Sequence, residues 1–208
     1  MYYMSAFWSA PQPTGPLSWT QEIPGSKSMT NRALVLAALA DSMSIIYNPL
    51  VSRDTELMKE GLRAMGAAFV PWGPHLRVHP AEQIQGAEID CGLAGTVMRF
   101  LPPVAALANG PVLIDGDPYA RKRPMSTMTA ALRELGVDVD GDALPLRITP
   151  QGVPDTYEVT IDASSSSQFV SGLLLAAPRY RNGLVVLHEG GPVPSRPHIA
   201  MTIAMLRE

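Results

Sequence analysis

The sequence has a single cysteine, little net charge and no long hydrophobic run. Cys91 cannot form an intramolecular disulfide, which is typical of a protein from a reducing compartment. A formal net charge of −3 argues against a general nucleic-acid-binding protein, whose basic face dominates its charge. No apolar run approaches the roughly 18 to 20 residues of a membrane span, and the first ten residues lack the basic region of a secretory signal. We therefore expect a cytoplasmic protein that binds neither nucleic acid nor membrane.

A helix start rich in small polar and basic residues is the most informative motif. Residues 24–32 (PGSKSMTNR) run directly into the apolar stretch 33–40. A helix N-terminus presents unpaired N–H groups and a partial positive charge, so an anion can approach its small residues while Lys27 and Arg32 bind it. The motif therefore predicts a phosphate or carboxylate site. A capped helix with two solvated basic residues explains the same residues equally well when they are taken alone.

The same pattern occurs three times, with a spacing of about 70 residues that is too long for a solenoid. Small polar residues open an apolar helix, a short β-type run follows, and a second amphipathic helix comes next. We expect repeats at about 15–87, 88–153 and 154–208, the third incomplete because no glycine and strand follow its second helix. Three related units predict a pseudo-threefold domain in which three helix N-termini face one region and bind anions.

Helical and strand patterns alternate along the chain, which indicates the α/β (α+β) class. Methionines fall on the apolar stripes of two of the helices, where they are expected to belong to the core. These helices end at Gly66 and Gly136, which suit the residue after a helix C-terminus, and each is followed by a strand-like run. Pro102 and Pro103 should kink or end the helix that contains them. Helices are predicted at 26–40, 55–66, 92–108, 124–136, 164–178 and from 197, and strands at 44–47, 112–115, 146–148, 159–161 and 184–188.

Other arrangements of reactive residues carry less information. His75 and His79 are four residues apart, but the residues between them are typical of a strand, so we do not expect a zinc pair. Residues 138–142 (DVDGD) misplace the glycine of a calcium loop and favour a hairpin turn. Cys91 lacks an evident partner base, so a buried structural thiol is favoured over a nucleophile. No metal or cofactor is expected.

Four motifs in succession resemble those of the EPSP synthase (3-phosphoshikimate 1-carboxyvinyltransferase) family. They are Gly25-Ser-Lys-Ser-x-x-Asn31-Arg32, Ala94-Gly95-Thr96-x-Met98-Arg99, Asp115-Gly116-x-Pro118 followed by Arg123-Pro124, and Ser166-Ser167-Gln168. The resemblance implies an enolpyruvyl transferase fold of βαβαββ units, three in each of two similar domains, with the third unit of this chain truncated. It also implies that residues 15–208 form the N-terminal domain, that residues 1–14 belong to the other domain, and that the missing C-terminal domain is a partner.

The resemblance further implies transfer of the enolpyruvyl group of phosphoenolpyruvate to the 5-hydroxyl of shikimate 3-phosphate, with release of phosphate. Lys27, Arg123 and Gln168 would be the catalytic residues in this chain. The implied contacts are Lys27, Arg123 and the Gly95 backbone for phosphoenolpyruvate, Ser28 and Arg32 for the shikimate hydroxyl and carboxylate, Ser166, Ser167 and Ser195 for the 3-phosphate, and Gln168 between the two substrates. His198 would contact the ligand through a hydrogen bond or its ring.

Two positions depart from the family pattern. Leu93 stands where the family commonly has Asn, and His198 where it usually has Tyr. Because the family's catalytic Asp and Glu lie in the half that this chain lacks, we expect an inactive half that still binds shikimate 3-phosphate. Two alternatives remain, namely a non-catalytic anion-binding module and another enolpyruvyl transferase such as the UDP-N-acetylglucosamine enzyme. The Lys-Asn opening and the reactive cysteine loop of that enzyme are absent here.

Overall fold

Helices and strands alternate along the computed structural model, which describes residues 9–208. Residues 1–8, part of the segment assigned above to another domain, lie outside it. The helices are α1 (Lys27–Ala38), α2 (Arg53–Ala64), α3 (Gly95–Ala105), α4 (Ser126–Glu134), α5 (Gln168–Ala176) and α6 (Arg196–Arg207). The strands are β1 (Ser44–Ile46), β2 (Ala68–Trp72), β3 (His75–His79), β4 (Ala87–Asp90), β5 (Val112–Asp115), β6 (Asp138–Asp140), β7 (Leu146–Thr149), β8 (Glu158–Ile161) and β9 (Val185–His188).

The strands form three small sheets that follow one another along the chain. The first has the order β1-β3-β2 and is antiparallel throughout. The second sheet has the order β4-β5-β7-β6, in which β4 and β5 are parallel and the other two pairs are antiparallel. In the third sheet, β8 pairs with β9 in parallel. The second sheet and its helices have the complete order β-α-β-α-β-β, and the other two repeat parts of it. The α/β class with repeated units is therefore confirmed.

The helix ends follow the local sequence signals. Gly66 and Gly136 have φ values of +106° and +81°, as expected of glycines that end a helix. At the other end of α2, Ser52 and Thr55 form a reciprocal capping box. The first helix of the third repeat begins later than predicted, because residues 164–167 form a turn before α5. Strand β4 was not predicted, since acidic residues flank its one buried apolar residue, Ile89.

Helix α3 lies at the centre of the core. All ten of its residues from Thr96 to Ala105 are buried, and it packs against α1, α2 and α5. The predicted core methionines Met58, Met65 and Met128 are likewise buried. This packing buries the first helix of each repeat against the others, which brings the three helices into one cluster. Within residues 9–208, no helix is long and apolar enough to cross a membrane.

Pro102 and Pro103 were expected to kink or end their helix, and they do not end it, because α3 continues to Ala105. Without an N–H, Pro103 leaves the carbonyl oxygen of Arg99 free of its usual helical hydrogen bond. Gly172 of α5 packs directly against that carbonyl oxygen, where any side chain would overlap it. The Pro103 carbonyl oxygen accepts a hydrogen bond of 2.9 Å from the buried Tyr180 hydroxyl. Helix α5 and Tyr180 thus pack against the part of α3 that contains the two prolines.

Candidate anion-binding site

The N-terminal turns of α1, α3 and α5 lie side by side. Hydrogen bonds join the first two turns of each helix to those of its neighbours: Asn31 Nδ2 donates to Thr96 Oγ1 (2.6 Å), Arg99 Nη1 to Gln168 Oε1 (2.8 Å) and Arg32 Nη2 to Ser171 Oγ (3.0 Å). The three helix starts, each with a partial positive charge, therefore share one region, as the repeat predicted. Most of the predicted site residues belong to these turns or to the loops that precede them.

Helix α1 begins at Lys27, and the side chain of Ser26 caps it by accepting from the Met29 N–H at 3.3 Å. The Lys27 side chain is half-exposed, and its Nζ forms an ion pair of 2.7 Å with Asp54 Oδ2 on α2. Ser28 is half-buried, and its carbonyl oxygen accepts from Arg32 Nη1 at 2.9 Å. Two predicted binding side chains, Lys27 and Ser28, thus lie at the solvent-accessible end of the helix.

Arg32 points into the protein. It is 1% exposed, and its guanidinium lies 5.1 Å from the ring centroid of Phe100. No carboxylate pairs with it in the described part of the chain. Burial lowers the pKa of Arg32 below its ordinary value. The sequence placed Arg32 in a binding role, and the structure adds that its charge is buried without a counter-ion.

Arg123 rests on the start of α3. Its Nη1 donates to the carbonyl oxygen of Leu93 at 3.0 Å, and a methyl group on Gly95 would lie 2.7 Å from its Nη2. Gly95 is therefore needed for the guanidinium to approach the helix N-terminus so closely. Leu93 supplies only a backbone carbonyl to this contact, which any residue could provide, and its own side chain is exposed. Arg123 and Gly95, each predicted to contact phosphoenolpyruvate, thus lie directly against one another.

A second buried arginine, Arg99, connects α3 to the start of α5. Its Nη1 holds the side chain of Gln168, and its Nη2 donates to the Pro124 carbonyl oxygen at 3.3 Å. Its Nε is buried without a hydrogen-bond partner among the described residues. Burial, with a smaller contribution from the charge of Arg123, lowers the pKa of Arg99 to about 10. Arg99 and Arg123 are therefore two like charges close together, and neither has a carboxylate partner within residues 9–208.

The serine loop before α5 is held by local hydrogen bonds. The Gln168 N–H donates to Ser166 Oγ at 3.2 Å, and Ser167 is buried at the helix start. The Ala163 N–H donates to Nδ1 of His188 on β9 at 3.2 Å, which fixes the beginning of the loop. Ser166 and Gln168 are half-buried. The loop therefore places the hydroxyl of Ser166 against the backbone N–H of Gln168, a predicted catalytic residue.

Ser195 and His198 lie at the start of α6. Ser195 is exposed, has a left-handed backbone (φ +53°), and its side chain does not cap the helix. The carbonyl oxygen of His198 accepts from Arg32 Nη2 at 3.1 Å, so α6 is attached to the same arginine as α1 and α5. No hydrogen bond among the described residues joins Ser195 to the serine loop. The backbone of His198 is thus bonded to the helix cluster, and no hydrogen bond among the described residues joins the Ser195 side chain to it.

Sequence reasoning omitted three residues from the candidate site. Asn31 and Arg99 were part of the recognised motifs, yet neither received a role. Both are buried at the helix cluster, and each has a polar atom, Oδ1 of Asn31 or Nε of Arg99, without a partner among residues 9–208. Their polar character within otherwise apolar helices was the available signal. Asp54 pairs with Lys27 from another helix, and nothing in the sequence indicated that contact.

The competing candidates resolve as the sequence indicated. Cys91 is fully buried, and burial together with the nearby Asp90 raises its pKa to about 12, as expected of a structural thiol. His75 and His79 occupy the two ends of strand β3. Their Cα atoms are therefore roughly 13 Å apart, too far for a shared zinc ion. Residues 138–140 form strand β6, and residues 141–142 begin the turn that connects it to the antiparallel strand β7.

Comparisons with known proteins agree with this arrangement. A family model described as EPSP synthase (3-phosphoshikimate 1-carboxyvinyltransferase) matches residues 11–208. Two structures of EPSP synthase from Acinetobacter baumannii are 25% identical to the chain, with a TM-score of 0.73, over 89% of this chain and 42% of theirs. The enolpyruvyl transferase NikO from Streptomyces tendae shares the fold at 19% identity and a TM-score of 0.58, over 84% of this chain and 39% of its own. The chain thus spans about two fifths of the length of the structures it matches.

Proposed function

Because the chain belongs to the EPSP synthase family, we propose that it forms one wall of a site that transfers the enolpyruvyl group of phosphoenolpyruvate to the 5-hydroxyl of shikimate 3-phosphate. Both substrates carry a phosphate and a carboxylate, and the released phosphate is also an anion. A site for them must hold anions that repel one another. The N-terminal turns of α1, α3 and α5 suit this task, since they join helix dipoles to arginine side chains.

The observation that carries the proposal is positive charge without a counter-ion. Arg32 and Arg99 are buried and have no carboxylate partner among the described residues, and Arg123 lies near enough to Arg99 to lower its pKa. A buried charge without an opposite charge is costly. A protein retains such an arrangement where a ligand supplies the missing negative charge. A phosphate or carboxylate bound at the helix cluster would offset the cost.

The proposed roles divide between the two substrates. Phosphoenolpyruvate would lie against the Gly95 backbone, held by Arg123, with Lys27 supplying positive charge or a proton near its bridging oxygen. Lys27 would then exchange its ion pair with Asp54 for the ligand. Shikimate 3-phosphate would occupy the opposite side, bound by Ser28, Arg32, Ser166, Ser167, Ser195 and His198. Gln168, oriented by Arg99, would lie between the two substrates. Rate enhancement then comes from proximity and electrostatic stabilisation.

We propose further that this chain alone binds shikimate 3-phosphate and does not catalyse transfer. Among the described residues of the cluster, Lys27 could deliver a proton, whereas no carboxylate is placed to accept one. Asp54, the carboxylate nearest the predicted residues, is already paired with Lys27. The family's catalytic acids would come from the other domain of the enzyme.

Two measurements test this proposal. A coupled phosphate-release assay on the chain should give no turnover, and a rate on the order of 1 to 1,000 per second would contradict the inactive-half proposal.

Titration calorimetry should detect shikimate 3-phosphate binding. Ser166→Ala should weaken it about tenfold, the value of one charge-assisted hydrogen bond. Ser165→Ala alters an exposed serine of the same run and is the matched control. Preferential binding of UDP-N-acetylglucosamine would favour the alternative transferase.

A further inference from the structure

The guanidinium of Arg32 is almost fully engaged within the protein. Nε donates to Thr202 Oγ1 at 2.7 Å, and Nη2 donates to Ser171 Oγ at 3.0 Å and to the His198 carbonyl oxygen at 3.1 Å. Nη1 donates to the Ser28 carbonyl oxygen at 2.9 Å. A guanidinium has five N–H groups. One N–H therefore remains, and it belongs to Nη1, the nitrogen that already contacts the predicted ligand-binding turn.

Thr202 is an unusual residue in α6. It is the one fully buried residue of that helix, and it is polar. Its hydroxyl accepts from Arg32, and its hydrogen is within reach of both Ser171 Oγ (3.0 Å) and the His198 carbonyl oxygen (2.9 Å). If the position served only to pack α6, valine would fill the same volume without burying a hydroxyl. The hydroxyl can donate to the carbonyl oxygen one turn back, as a helical threonine commonly does, and it is in addition the acceptor for Arg32 Nε.

We propose that Thr202 and Ser171 are positioning residues for Arg32, which fix its guanidinium so that the remaining Nη1 N–H binds the carboxylate of shikimate 3-phosphate. This inference rests on the proposed function. Without the two hydroxyl acceptors, Nε and one N–H of Nη2 would be buried and unpaired. The side chain would then adopt other rotamers and lose its orientation toward the ligand. Thr202 lies 170 residues from Arg32 in sequence, and neither hydroxyl was among the predicted site residues.

The test compares two ligands, shikimate 3-phosphate and its carboxylate methyl ester, by titration calorimetry on the full chain. Wild type should bind the acid about tenfold more tightly than the ester, because a hydrogen bond to a charged group has that value. Thr202→Val should reduce this ratio toward one while ester binding stays within about threefold of wild type. Thr202→Ser keeps the hydroxyl and should retain the ratio. Ser171→Ala should also lower the ratio of acid to ester affinity. If Thr202→Val does not fold, the ratio measured for Ser171→Ala tests the positioning role.

Thr129→Val is the matched control. Thr129 is also fully buried, and its hydroxyl donates to the Ser126 carbonyl oxygen at 3.1 Å on α4, outside the Arg32 network. This variant should keep the wild-type ratio. An unchanged ratio in folded Thr202→Val and Ser171→Ala overturns the positioning role while leaving the proposed function intact. If wild type binds neither ligand, the proposed function fails, and the positioning role fails with it.

Discussion

Gly172→Ala should destabilise the protein, although alanine is the better helix former. Gly172 lies inside α5, and a methyl group there would overlap the carbonyl oxygen of Arg99 on α3 and lie 3.3 Å from Met128 Cε. The overlapped atom belongs to the backbone of a fully buried helix, so no side-chain rotation can relieve the overlap. The two helices must separate, by about 1 Å, at the contact that Pro103 leaves free of a helical hydrogen bond.

The expected magnitude is a difference of two terms. Overpacking a dense core costs up to about 3 kcal/mol, and replacing glycine by alanine within a helix gains about 1 kcal/mol. The free energy of unfolding should therefore fall by about 2 kcal/mol. For a chain of this size, that change lowers Tm by about 4 to 8 °C. Because α5 carries Gln168 at its start, the same shift should weaken shikimate 3-phosphate binding.

Gly61→Ala is the matched control for this prediction. Gly61 is also buried within a helix, but a methyl group there would meet side-chain atoms and not backbone, Leu101 Cδ1 at 2.5 Å and Ile89 Cγ2 at 3.1 Å. Repacking should cost about as much as the helix propensity gains, so its stability should stay within about 0.5 kcal/mol of wild type. Urea unfolding followed by circular dichroism measures both variants. A Gly172→Ala protein as stable as wild type would refute the close α3–α5 contact.

Three further predictions follow from the environments of single side chains. Arg32→Ala should lower the free energy of unfolding by about 3 kcal/mol in urea titrations, because the four acceptors it leaves without a donor and the space it vacates outweigh the relief of a buried charge. Lys27→Ala removes a half-exposed ion pair and should cost under about 1 kcal/mol. Equal losses would contradict the burial of Arg32. Cys91 should resist thiol reagents at about pH 8 in the native protein and react after denaturation, because burial raises its pKa to about 12; labelling of the native protein would contradict this. The hydrogen bond from Arg121 lowers the pKa of Asp115 in the folded protein. The ionised carboxylate therefore stabilises the fold above its unfolded pKa of about 3.9, and this stabilisation is lost as the pH falls through the lower folded pKa. Asp115→Asn should therefore flatten the fall of the urea midpoint between about pH 5 and 2, and identical acid profiles would exclude this contribution.

Local sequence determined most of the secondary structure. Apolar spacing places the helices, and the glycines at 66 and 136 end two of them because only a residue without a Cβ adopts positive φ at little cost. The threefold repeat of these local patterns predicted that three helix starts would share one region. Each single pattern depends on residues within one or two helical turns of one another, and only its recurrence extends along the chain. Such patterns can be read from a single sequence.

Tertiary structure decided which polar groups meet. Arg32 binds Thr202 across 170 residues and Arg99 binds Gln168 across 69, and no local pattern specifies either partner. The continuation of α3 past Pro102 was likewise decided by packing. The physical reason is the same in each case. Propensity acts within a turn or two, whereas the environment of a buried charge or a freed carbonyl is set by whichever distant helix lies against it.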